Sequence, residues 1–511
     1  MSTFLIFFDE FINLLTIQNI LLLMVSSFAG IMIGGLPGLT ATMGIALLAG
    51  LTYGMSTDAA LIVLMGIYVG AIYGGSISAI LIGIPGTGSA AATVLDGHPL
   101  AKKGEGGTAL GLATIASFIG TIFGMICLIG FTPLLQKLAL KFASPELALL
   151  AIFGVTICGS LTAQGTPLKG WIAGFIGIIL STVGFETMYS YPRFTFGVIG
   201  LTAGIAFVPA MIGLFGIPSI LSELSQKNAG SKLAAVTPKN QRVSVFSMLR
   251  KFMPTILRSG LIGTAIGAIP GVGEDVAAWM AYDVAKKSSK NPEKFGKGAY
   301  EGVVAAETAN NAAIGGAIIP LLSLAIPGSA PTAVLLGALW LHGIRPGPML
   351  SFEFPRFVPY MSAILLLAAF CMRICAIPAV KLAPKVLKVQ SYVLMPIVGV
   401  LCVIGSYALN INIFDLYVMA CFGFLGFLLE RMNYPLAPVV LGIILGPLAD
   451  ENIRRTLRGS QGSLEPFFTR PISIIIILMI AYSIYGQLEV RHKVNRFIKN
   501  LFKSKAVEKT Q

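Results

Sequence analysis

Charge is scarce in this chain. Only 11% of its 511 residues are Asp, Glu, Lys or Arg, 55% are hydrophobic, and the mean hydropathy is +0.84. So few polar groups cannot clothe soluble domains of this length, which leaves a multi-pass membrane protein. Histidine is scarcer still, with only His98, His342 and His492. The six cysteines (Cys127, Cys158, Cys371, Cys375, Cys402, Cys421) lie in apolar segments without zinc-like spacing, so they read as small core residues and no metal centre is expected. A G-x-x-x-x-G-K-[ST] phosphate loop is missing, which argues against nucleotide hydrolysis, and H-E-x-x-H is absent too. No removable signal peptide is expected, because residues 1–8 lack a basic start and Asp9-Glu10 interrupts the apolar run.

What the chain has is apolar runs, broken in a repeated way. Segments such as 20–33, 61–84, 110–129, 171–183, 364–377, 393–409 and 472–484 approach the ~20 residues that cross a bilayer, and about 12 spans or half-spans are expected. Gly74-Gly75-Ser76 leads to Ile84-Pro85-Gly86, and Gly315-Gly316-Ala317 leads to Ile326-Pro327-Gly328. Upstream, Gly34-Gly35-Leu36-Pro37-Gly38 returns as Gly267-Ala268-Ile269-Pro270-Gly271. Proline removes a backbone donor and glycine weakens a helix, so each break frees peptide groups that hydrocarbon cannot satisfy. Matching breaks in two halves point to a transporter's midplane binding site.

The net charge of +14 sits in loops between the apolar runs, which suits membrane orientation and implies no nucleic acid. Lys227, Lys232, Lys239, Arg242, Arg250, Lys251 and Arg258 mark one cytoplasmic segment, and Arg491 to Lys505 another. Residues 52–58 carry no Lys or Arg, whereas the matching loop carries Lys286, Lys287, Lys290, Lys294 and Lys297. Opposite charge bias in equivalent loops argues for inverted-topology repeats. The expected organisation is a first transmembrane repeat over 1–220, a basic cytoplasmic linker over 221–258, a second repeat with closing spans over 259–490, and a basic cytoplasmic tail over 491–511. The expected fold is all-α, with broken or re-entrant helices.

Amides and half-helix N-termini at the breaks favour a carboxylate, and freed carbonyls can hold a cation. The expected substrate contacts are therefore Gly35, Pro37, Gly38, Thr40, Gly75, Ser76, Pro85, Gly86, Thr87, Pro270, Gly271, Pro327, Gly328 and Ser329. Further hydroxyls at Thr42, Ser78, Ser89, Ser323 and Thr332 flank the same breaks, where each can equally bond its own helix. Glu307 lies at helical spacing with Asn310 and Asn311; these three are the candidate cation-coupling residues, unless Glu307 pairs with Lys294 or Lys297 near the interface. Glu274 and Asp275 follow the second Pro-Gly break, where acids cap a helix start. An intramembrane enzyme using Glu274, Asp275 or Glu307 is the alternative class. Residues 94–103 read as a turn, and Asp96 and His98 in it as a surface loop or a gate.

These motifs resemble the large membrane subunit of the tripartite tricarboxylate transporters from about residue 30 to 472. The resemblance is carried by Gly35-Leu36-Pro37-Gly38, Tyr73-Gly74-Gly75-Ser76, Ile84-Pro85-Gly86-Thr87, Asp96-Gly97-His98-Pro99, Glu307-Thr308-Ala309-Asn310-Asn311 and Gly343-Ile344-Arg345-Pro346-Gly347. It implies a bacterial inner-membrane subunit, not an enzyme. It also implies a small four-span membrane subunit and a periplasmic or extracellular solute-binding protein as partners. The substrate would be a tricarboxylate or related small carboxylate, with uptake coupled to sodium or protons and no other cofactor. Two departures stand out: His98 replaces an expected aromatic, and Glu274-Asp275 replaces small or neutral residues, adding negative charge near an anion site.

Overall fold

The computed structural model describes residues 3–36, 38–162, 166–186, 190–225, 245–386 and 391–487. Pro37, the loop residues 226–244 with four of the basic side chains, and the basic tail lie outside the described residues. The first part of the chain forms α1 (Thr3–Leu14), α2 (Ile17–Gly35), α3 (Ala41–Leu51), α4 (Thr57–Ile82), α5 (Ala91–Leu100), α6 (Gly106–Ala139), α7 (Ser144–Thr162), α8 (Pro167–Ser181) and α9 (Phe207–Ser225). A two-stranded antiparallel hairpin, β1 (Gly184–Phe185) with β2 (Pro192–Arg193), follows α8. The second part forms α10 (Val245–Gly267), α11 (Gly273–Ser288), α12 (Tyr300–Leu324), α13 (Ala330–Leu341), α14 (Leu350–Glu353), α15 (Phe357–Val386), α16 (Ser391–Asn410), α17 (Ile413–Arg431), α18 (Leu436–Gly459), α19 (Glu465–Thr469) and α20 (Pro471–Gln487). Among the described residues, six helical stretches are long and apolar enough to cross a membrane and seven more are shorter apolar helices. The protein is an all-α polytopic membrane protein.

The duplication read from the breaks is present in the packing. A Cβ on Gly30 or Gly34 would strike the α4 backbone at Ile67 and Ala71, and one on Gly263 or Gly267 would strike the α12 backbone at Ala309 and Ala313. In return Gly74 faces the Ile31 carbonyl and Gly316 the Thr264 carbonyl. Small residues thus let α2 meet α4, and α10 meet α12, backbone to backbone. The flanking helices repeat as well: Pro209-x3-Gly213-x4-Pro218 of α9 matches Pro438-x3-Gly442-x4-Pro447 of α18. Gly213 packs on the Met419 carbonyl of α17, and Gly442 on the Gly174 carbonyl of α8.

Two expectations change in detail. Residues 94–103 are largely helical rather than a turn: α5 continues to Leu100, and the chain breaks only at Gly104 (φ 80°) before α6. Five cysteines are buried, but Cys421 is exposed because it stands on the outward face of α17. Glu10 and Asp9 of α1 both accept from the Arg356 guanidinium, tying the first helix to the start of α15.

Candidate functional site

The Pro-Gly breaks are hairpin returns. Helix α4 ends at Gly83 (φ 73°) and α12 at Ala325 (φ 58°), both left-handed, and the chain then doubles back along the helix it has left. The Gly86 amide donates to the Gly75 carbonyl (3.3 Å), and the Gly328 amide donates to the Ala317 carbonyl (3.3 Å). Each return also presses on the end of α2 or α10, since a Cβ at Gly86 would collide with the Gly34 carbonyl and one at Gly328 with the Gly267 carbonyl. The Gly271 amide donates to the Pro327 carbonyl (3.2 Å), joining the two second-half breaks. Three amides freed at the breaks are therefore paired across the returns, one of the ways such backbone survives at membrane depth.

Glu307 is fully buried on α12 and its carboxylate is held by hydroxyls alone. Ser76 of α4 donates to Oε1 (2.6 Å), Ser117 of α6 donates to Oε2 (2.9 Å), and Thr93 of α5 donates to Oε1. Helix α6 comes this close because Gly120 and Gly124 lie against the Thr308 and Ala312 carbonyls of α12. Among the described residues no lysine pairs with Glu307, and the Lys297 carbonyl accepts from Lys103 (2.7 Å). Glu307 thus meets three hydroxyls and neither Lys294 nor Lys297. Asn311 donates to Thr121 Oγ1 (3.0 Å), while its amide oxygen and both amide atoms of Asn310 are buried without a protein partner among the described residues. An unpaired buried amide costs ~1–3 kcal/mol, so Asn310 is a side chain held ready for something else.

A second acid cluster lies at the start of α11. Glu274 is buried and accepts from the Tyr68 hydroxyl of α4. With that proton committed, the Ser329 hydroxyl donates to Tyr68 (3.0 Å). Asp275 is solvent-exposed, yet it faces the other return: a Cβ on Gly88 would lie 2.7 Å from its Oδ2. Both returns therefore meet α11, and α5 and α13 begin just after them. Among the described residues no Lys, Arg or His is buried, so no basic side chain is enclosed with these acids.

The structure thus unites most of the expected residues. Gly75, Ser76, Gly86, Pro270, Gly271, Pro327, Gly328, Ser329 and Glu307 belong to the paired returns or the two acid clusters, with Gly35, Gly38, Pro85 and Asn310 on the same elements. Several hydroxyls have local tasks instead. Thr40 caps α3 by accepting from the Met43 amide (3.2 Å), Ser78 donates to Gly75 (3.2 Å), and Ser323 donates to Ile319 (2.6 Å). Thr87 bonds Ser89 (3.0 Å), and Ser329 with Thr332 forms a capping box on α13. Tyr68, Thr93, Ser117 and Thr121 were not foreseen. The one signal for them is the polar stripe Thr114, Ser117, Thr121 at helical spacing on α6.

Asp96 is no surface residue. It is fully buried, accepts from Tyr282 (2.9 Å), and accepts from the Gly298 and Ala299 amides (2.8 Å each) ahead of α12. A side chain of the first repeat thereby satisfies the N-terminus of the central helix of the second. His98 packs beneath Gly83, with Nδ1 3.2 Å from the Ile80 carbonyl, where it supports the end of α4. A cavity of about 450 Å³ between α13, α18 and the β1–β2 hairpin, near Arg193 and Asp450, includes none of the expected contacts.

Comparison with known proteins agrees with this architecture. The chain is 38% identical over 463 residues to an uncharacterised 52.8 kDa protein of the TAR-I ttuC′ 3′ region of Agrobacterium vitis, covering 91% of this chain and 92% of that one. It is also 38% identical over 215 residues to a protein of the TAR-II ttuC′ 3′ region of the same organism, covering 42% of this chain and 89% of that one. No solved structure matches. The sequence model of the Tripartite tricarboxylate transporter TctA family matches residues 20–441, so this chain belongs to that family, the large membrane subunit of tripartite tricarboxylate transporters.

Proposed function

We propose that this subunit imports a tricarboxylate or related small carboxylate across the bacterial inner membrane, handed to it by a periplasmic binding protein and accompanied by a small four-span subunit. The observation that carries the reading is the meeting of both hairpin returns around buried acids with no basic side chain enclosed among the described residues. An anion here is recognised by helix N-termini, backbone amides and hydroxyls. Its charge would add to any carried by Glu274, Asp275 and Glu307, which favours an accompanying sodium ion or proton that neutralises these acids.

Glu307 is the coupling position, because its ligands are all oxygens and each hydroxyl can turn from donor to acceptor when a sodium ion or a proton arrives. Asn310, with its unpartnered amide, completes either the cation shell or the substrate contacts. The repeats are inverted on the charge of their loops, and a cysteine at Met55 is expected to label from the side opposite to one at Ser289; labelling of both from one side would reject the inversion.

The deciding experiment is uptake of labelled citrate and smaller carboxylates into proteoliposomes holding this chain, its small subunit and the binding protein, with sodium and proton gradients imposed separately. Uptake that needs the binding protein and one gradient is the expected result. Folded protein that takes up no carboxylate under either gradient would overturn the proposal.

A further inference from the structure

Helices α3 and α11 occupy equivalent places after the first break of each repeat, yet they differ in cover. On α3 nine of the eleven residues are buried, including Thr42, Ala46 and Gly50. Helix α16 packs along it closely enough that a Cβ on Gly50 would lie 2.5 Å from the Gly405 carbonyl, and α9 and α13 close the remaining sides. On α11 the matching face is open: Asp275, Trp279, Asp283 and Lys286 form an exposed stripe at helical spacing, running from the returns to the lysine loop.

The counterpart of α16 is α7, since Gly154 of α7 meets Leu445 of α18 as Cys402 of α16 meets Gly216 of α9, and Leu445 and Gly216 share one position in the Pro-x3-Gly-x4-Pro repeat. Among the described residues α7 has no extended packing on α11; Gly154 touches Pro270 and Cys158 touches Gly271, at the break itself. The counterpart of α9, helix α18, likewise has no extended packing on α11 among the described residues; its Leu441 reaches Gly271 at the break. Asp283 pairs with Lys287 of the lysine loop (2.5 Å), but Asp275, next to the second break, is exposed with no ion-pair partner among the described residues, and such an acid does not suit hydrocarbon, so water is what faces it.

We propose that the stripe Asp275–Trp279–Asp283 lines a water-filled passage from the site to the side of the lysine loop, and that α3 shows the same passage, on the other side, closed by α16. The structure is one of two access states, and the other is reached when α7 slides over α11 while α16 leaves α3. Contact at Gly50 on one repeat against contact at the break on the other means a displacement of a dozen residues of helix, roughly 18 Å at the helical rise. That makes a sliding of the α7–α9 and α16–α18 helices against the rest, rather than a rocking about a fixed contact. The inference rests on the transport reading but is tested without any substrate.

Full-length protein in proteoliposomes, with and without its small subunit and carrying single cysteine substitutions, is treated with a water-soluble maleimide and labelling at each position is quantified by peptide mass. Trp279→Cys and Asp275→Cys are expected to react at least tenfold faster than their repeat counterparts Ala46→Cys and Thr42→Cys. Adding Gly50→Val, which drives α16 off α3, is expected to raise the Ala46→Cys rate tenfold or more. Equal rates at Trp279 and Ala46 overturn the proposal. So does reaction of Trp279→Cys with a lipid-soluble reagent alone, which would place that face in the bilayer, or its protection by the small subunit, which would make it a docking face. Because these readouts are labelling rates, they fail independently of carboxylate uptake.

Discussion

The two central helices, α4 and α12, share a backbone and differ in chemistry. When Gly74 is set against Gly316 and Gly86 against Gly328, the shared register puts Tyr68 opposite Asn310 and Met65 opposite Glu307. Both helices end in a left-handed residue, both are followed by a Pro-Gly return, and both are buried almost throughout. The duplication has kept what the return geometry demands and released the rest. One repeat supplies a hydroxyl to an acid on the other half, through Tyr68 to Glu274, and the second supplies the acid that takes hydroxyls from the first, through Glu307.

If the backbones are equivalent, breaking either should have the same consequence. Gly86→Val and Gly328→Val are each expected to reduce uptake to background, because a side chain at either place collides with the carbonyl of Gly34 or Gly267. Normal uptake in one of them would end the equivalence. The side chains should instead behave unequally. Glu307→Gln is expected to lower uptake about 10–100-fold and flatten its dependence on the coupling cation, while Met65→Leu at the matching position changes uptake less than about twofold. An unaltered cation dependence in Glu307→Gln would return this acid to a structural role.

Smaller effects sharpen the contrast. Tyr68→Phe removes the donor to Glu274 and is expected to slow uptake about tenfold, as ~1–2 kcal/mol of a charge-assisted bond is lost, without moving the cation dependence. Asp96→Ala leaves two amides and Tyr282 unpaired and is expected to cost ~1–3 kcal/mol, seen as a lower melting temperature in detergent that Asp96→Asn partly restores. Least of all, Ser117→Ala takes one of three donors from Glu307 and should cost ~0.5–1.5 kcal/mol, read as a modest rise in the cation concentration for half-maximal uptake.

The breaks were legible because proline and glycine act on their own backbone, so Pro85, Gly86, Pro327 and Gly328 announce themselves locally. Glu307 was legible for a related reason, as an acid in an apolar run is conspicuous by its cost. Its ligands were not: Ser76 is 231 residues away and Ser117 is 190. Nothing in a serine distinguishes one that bonds its own helix, as Ser78 does, from one that reaches across the molecule. The doubling-back of the chain was hidden too, because Ile-Pro-Gly ends a helix equally well in a kink or a return. Asp96 reads as a loop acid because its partners, two main-chain amides and the Tyr282 hydroxyl, all lie in the other repeat and leave no mark near it in the sequence.

That bond has a consequence for how the protein is made. Asp96 emerges from the ribosome 203 residues before the Ala299 amide it accepts from. The acceptor is therefore in the membrane, with Thr93 three residues before it on the same helix, before α12 exists. The second repeat completes the start of its central helix on a template the first has already laid down, so biogenesis runs in one direction along the chain.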